Sequence, residues 1–137
     1  MGTGKTIIIA EPTEALLSEM RPFLSGIGLD VIHLKTLKET LITLQGRRVD
    51  ILLLDSSLLE FGCEFISIIK GIVENLRIIV CAEVNTPEFE GNARQQGIFY
   101  YHIKAFGSQD LEMAIASAIN YSPHHCGGSI HAPSRQD

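Results

Sequence analysis

Val49-Asp50-Ile51-Leu52-Leu53-Leu54-Asp55 is the stretch that decides how this 137-residue chain folds. Four consecutive aliphatic residues leave nothing polar for a solvated face, so a strand here must be covered on both sides. A parallel sheet flanked by helices supplies that cover. The run then stops at a carboxylate, Asp55, where strand gives way to loop. Five such short runs recur: Thr6–Ala10, Asp30–Leu34, Asp50–Leu54, Arg77–Ala82 and Phe99–Ile103.

The intervening segments carry helical spacing. In Thr13–Ile27, the residues Leu16, Met20, Phe23, Leu24 and Ile27 share one face. Pro22 lies inside that pattern and predicts a kink, because it removes a hydrogen bond and crowds the preceding turn. Leu37, Leu41 and Leu44 mark a short second helix, and Leu59–Val73 reads as a third. Thr86-Pro87-Glu88 opens a fourth, with threonine at the cap, proline at the first helical position and an acid beside the dipole. Ser108 caps the fifth, whose apolar positions are Leu111, Ala114, Ile115, Ala118 and Ile119. Strand and helix thus alternate five times. That rhythm predicts an α/β fold with a doubly wound five-stranded parallel sheet, strand order 2-1-3-4-5.

Composition excludes several classes. Apolar residues make up 45% of the chain, enough for a packed core rather than a disordered tail. A net charge of −5, with Arg47 and Arg48 the only adjacent basic pair, argues against nucleic-acid binding by this domain. No apolar run reaches the roughly 20 residues of a membrane span. The amino-terminal residues lack the pattern of a signal peptide. Cys63, Cys81 and Cys126 stand far apart without a Cys-x-x-Cys, which suits a reducing compartment and a cytoplasmic location. Residues 1–121 are expected to form the domain. Residues 122–137, which lack periodic apolar positions, are expected to be a flexible tail or truncated linker.

In a doubly wound sheet, function sits beyond the carboxyl ends of the strands. The ends here are Glu11, Asp55, Cys81 and Lys104. Two carboxylates and an amine around one cleft suit a hard cation such as Mg²⁺, and a carboxylate beside it can attack a phosphoryl group. Lys104 would neutralise the added phosphate.

Across roughly residues 5–120 the sequence resembles the receiver domains of two-component response regulators. Val49–Asp55 looks like the phosphoacceptor strand. Gly97-Ile98-Phe99-Tyr100-Tyr101-His102-Ile103-Lys104-Ala105-Phe106 looks like the family's fifth strand. The resemblance implies a flavodoxin-like (βα)₅ receiver fold, Asp55 as phosphoacceptor, Lys104 as phosphate partner, and Tyr101 as an aromatic that changes rotamer on activation. It also implies Mg²⁺ on Glu11, Asp55 and the carbonyl of Ser57. A histidine kinase or phosphotransfer protein would stand upstream and an effector protein or domain downstream, with homodimerisation compatible. Such a domain is a signalling part of a phosphorelay rather than an enzyme.

Three positions depart from the family pattern. Receivers carry two adjacent acids after the first strand, and this chain has Ala10-Glu11-Pro12. Counting back from Gly28 puts Glu11 at the first acid, whereas a one-residue gap would put it at the second. Cys81 stands where a threonine or serine hydroxyl drives the switch, and a thiol is a weak donor. Ala105 replaces a proline. The pocket is therefore expected to bind metal and accept phosphate weakly.

Plainer roles compete for the same residues. Asp55 suits a turn cap, Lys104 an exposed position, Glu11 a helix-dipole partner, Cys81 core filling, and Tyr101 fixed packing. His124, His125, Cys126 and His131 suggest a metal site but lack a second ligand pair. Gly2-Thr3-Gly4-Lys5-Thr6 hints at a phosphate loop but lacks its spacing and a preceding strand. Two further functions stay open: a phosphorylation-independent pseudo-receiver, and a flavodoxin-like electron carrier. The second needs a phosphate loop that Pro12-Thr13-Glu14 does not supply.

Overall fold

The computed structural model describes residues 4–60, 62–83 and 86–120; the expected tail, with its histidines and Cys126, lies outside them, as do residues 1–3. The elements alternate as the sequence predicts. They are β1 (Thr6–Ala10), α1 (Ala15–Ile27), β2 (Asp30–Leu34), α2 (Leu37–Gly46), β3 (Ile51–Asp55), α3 (Glu64–Ile72), β4 (Arg77–Ala82), α4 (Pro87–Gln95), β5 (Tyr100–Ile103) and α5 (Gln109–Asn120). All neighbouring strands pair in parallel, in the order β2-β1-β3-β4-β5.

Strand alternation divides the aliphatic runs between two cores. Ile8, Leu52, Leu54, Ile78, Val80 and Tyr101 pack with α2, α3 and α4. Ile7, Ile9, Ile51, Leu53, Ile79 and Cys81 pack with α1 and α5. Ile7, Ile8 and Ile9 of β1 are wholly buried, and so are Ile51, Leu52, Leu53 and Leu54 of β3. Polar residues in these two strands stand only at an end, as Thr6 and Asp55 do.

Several boundaries shift from the sequence expectation, each for a local reason. β3 starts one residue later, because the Asp50 side chain turns back to accept the Thr6 amide at 2.9 Å. The third helix begins at Glu64 rather than Leu59. A one-turn 3-10 helix (Ser56–Leu59) follows β3, and Gly62 at φ 128° breaks the path before α3. α1 runs unbroken past Pro22, which stands on the exposed face of the helix. Gly28 ends α1 in the left-handed region at φ 74°, its amide returning to the carbonyls of Leu24 and Ser25. Thr36 caps α2 by accepting the Glu39 amide. Thr86 precedes α4 without a side-chain cap bond.

Polar contacts fix α5 to the edge strand. Tyr100 and His102 project from β5 toward α5. The Tyr100 hydroxyl donates to Asp110 Oδ2 at 2.7 Å, and His102 Nδ1 lies 3.1 Å from the same carboxylate. Burial, then the hydrogen bond and charge of Asp110, push the Tyr100 phenol up to about 12. The folded protein therefore holds this proton more tightly than the unfolded chain. The stabilisation is complete below the unfolded value of about 10 and is lost as pH rises through the folded value. Tyr100→Phe is expected to make the fall in unfolding free energy across that window shallower, as read from urea melts at a series of alkaline pH values.

Candidate functional site

Strand register brings the expected residues to one rim. Ala10 pairs with Leu54, Asp55 with Cys81, Cys81 with His102, and Ala82 with Ile103. Glu11 and Lys104 follow directly after Ala10 and Ile103, so all four strand ends open on the same side. The electrostatics agree. Burial raises the Cys81 thiol, and the charges of Lys104, Asp55, Glu11 and Asp110 all act on it.

Asp55 and Lys104 meet. The Lys104 ammonium contacts Asp55 Oδ1, with Glu83 Oε1 at 3.6 Å. The Asp55 side chain is 8% exposed and that of Lys104 25%, so the pair is shielded without being sealed. Burial would lower the Lys104 pKa, but the hydrogen bond and charge of Asp55, with Glu83 beside them, outweigh it and hold the ammonium above its ordinary range. The other oxygen, Oδ2, accepts the Ser57 amide at 3.1 Å and the Ser57 hydroxyl. Asp55 thus caps the 3-10 turn and holds the lysine at once. A cleft of about 340 Å³ opens nearby between Ser56, Glu83 and Phe89.

Glu11 is only 1% exposed, and its carboxylate faces α1. One oxygen accepts the Leu16 amide and the other the Leu17 amide, both at 2.9 Å. These are first-turn amides with no partner inside the helix. His33 closes over the same loop, with Nε2 donating to the Thr13 carbonyl at 2.8 Å and lying 3.6 Å from Glu11 Oε2. Sequence reading missed His33, Glu83 and the Ser57 hydroxyl. The alternation of β5, which sends Tyr100 and His102 to the α5 side, was the available signal for the Asp110 cluster.

The donors do not fit a complete Mg²⁺ site. Asp55 and the Ser57 carbonyl are the right kind of oxygen, but Glu11 is engaged by α1 and the Pro12 side chain offers no donor. Among the described residues no group of three or more acidic, histidine or cysteine side chains could hold a metal.

The two remaining expected residues occupy opposite cores. Cys81 is wholly buried against the α1 and α5 layer, and burial keeps its thiol protonated. Tyr101 is 4% exposed in the other layer, its ring 6.2 Å from that of Phe89 and 5.8 Å from the Arg94 guanidinium. Its hydroxyl is buried with no hydrogen-bond partner among the described residues.

Solved structures share this architecture. A response regulator from Thermotoga maritima matches with a TM-score of 0.77 at 18% identity, over 85% of this chain and 98% of that one. An orphan response regulator of H. pylori matches at 0.77 and 20%, over 87% and 99%. RcsB from Salmonella enterica serovar Typhimurium matches at 0.72 and 25%, over 86% and 69%. No protein-family model and no curated protein sequence matches the chain. The fold is the receiver fold of response regulators.

Two substitutions test these contacts. Glu11→Ala in metal-free buffer is expected to destabilise the fold by about 1–3 kcal/mol, because two amides lose their acceptor. A carboxylate held only for a metal would instead leave stability unchanged or raise it. Tyr101→Phe is expected to raise stability by about 1 kcal/mol in denaturant melts, since it removes a buried hydroxyl that no described residue satisfies.

Proposed function

We propose that the chain is a receiver-like signalling domain of a phosphorelay, with Asp55 as phosphoacceptor and Lys104 as the partner of the phosphoryl group. The contact between the Lys104 ammonium and the Asp55 carboxylate, at the rim where a doubly wound sheet places its function, carries this reading. An Asp55 oxygen attacks the phosphorus of a phosphohistidine. The O–P bond forms as the P–N bond breaks, and the departing imidazole takes a proton from solvent. Lys104 then balances the charge of the acyl phosphate.

The reaction is slow in this chain. Both Asp55 oxygens are engaged before any donor arrives, and Mg²⁺ binds weakly because Glu11 serves α1. Cys81 offers only a weak thiol donor to the phosphoryl group. Tyr101, whose hydroxyl gains a partner on reaching water, is the side chain that moves. The upstream partner is a histidine kinase or phosphotransfer protein, and the downstream partner an effector protein or domain, in the cytoplasm.

A pseudo-receiver that signals through protein contacts alone is the second reading, favoured by the inward turn of Glu11. Intact-mass measurement after incubation with acetyl phosphate and Mg²⁺ separates the two. The phosphoacceptor reading requires a gain of one phosphoryl group that Asp55→Ala abolishes and Lys104→Ala reduces. No gain, together with no Mg²⁺ binding by titration, leaves the pseudo-receiver.

A further inference from the structure

At the far end of the sheet from Asp55, where β3 and β4 begin, a cavity of about 900 Å³ opens beside the carboxyl ends of α3 and α5. Lys5, Arg47, Arg48 and Arg77 line it. The whole chain has eleven lysines and arginines against sixteen acids, so over a third of its cations gather at one concavity of an acidic protein. Asp50 and Glu74 are the acids in the wall. Asp50 is already engaged, by the Thr6 amide at 2.9 Å and by Arg48 Nε at 3.5 Å. The Arg48 side chain remains 86% exposed, so most of its guanidinium faces solvent. Arg77 is anchored at the wall through a hydrogen bond to the Asn75 carbonyl.

Helix carboxyl ends attract cations, which accounts for some of this gathering. They do not account for the apolar wall that Val49, Ile72 and Ile119 add beside the charges. Guanidinium groups pair with phosphate through two parallel hydrogen bonds, and an apolar wall accepts a flat ring. The volume lies within the roughly 300–1,000 Å³ range of small-molecule sites and is generous for inorganic phosphate.

We infer that this basal cavity binds a phosphorylated small molecule of nucleotide size. The site is independent of Asp55. Titration of the 137-residue chain with ADP, followed by calorimetry and amide NMR shifts, tests it. Saturable binding is expected, with shifts at Val49 and Ile119, unchanged by Asp55→Ala. The double substitution Arg47→Glu, Arg48→Glu is expected to weaken it about tenfold or more. Both side chains are exposed, and thermal melts check that the variant folds. Adenosine should bind far more weakly than ADP. No saturable binding, or an affinity indifferent to the double substitution, would show that the cations serve only the helix ends. Pyrophosphate binding as tightly as ADP would equally overturn the inference, because the apolar wall would then contribute nothing.

Discussion

A parallel sheet covered on both faces can keep charge only at its two ends. Every side chain of β1 and β3 between those ends is buried, so an ionisable group there would lose its hydration without recompense. Glu11, Asp55 and Lys104 therefore gather at one rim, and Lys5, Asp50 and Arg77 at the other. The chemistry of the domain is confined to two polar caps on an apolar slab.

At the rim of Asp55, a single carboxylate serves two neighbours. Asp55 orders the turn that follows β3 and also holds Lys104. These duties preorganise the pocket, and between them they engage both carboxylate oxygens. Glu11 is engaged differently. It is committed to the amides of α1, and the loop that could face a metal becomes a helix start closed over by His33.

Much of this was legible in the residues. The aliphatic runs specified a sheet buried on both sides, and their number and spacing specified its order. The meeting of Asp55 and Lys104 followed from strand ends alone. The orientation of Glu11 was open between metal ligand and helix-dipole partner; the extra methylene of glutamate lets it turn forward onto Leu16 and Leu17, which decides for the helix. The start of α3 was blurred because Leu58 and Leu59 continue the apolar spacing through a turn that Gly62 interrupts. For contacts such as Tyr100 with Asp110, strand alternation gives the face toward α5, but neither residue's own preference names the other as its partner.

The buried thiols add one more consequence. Cys63 sits in the layer of α2, α3 and α4, and Cys81 in the layer of α1 and α5. Each side of the sheet thus carries its own native chemical reporter. With Cys126 replaced by serine, the rates at which the two sulfurs become alkylated would time the loosening of each layer separately. Breathing of one helical layer could then be told apart from rupture of the whole domain without introducing any foreign probe.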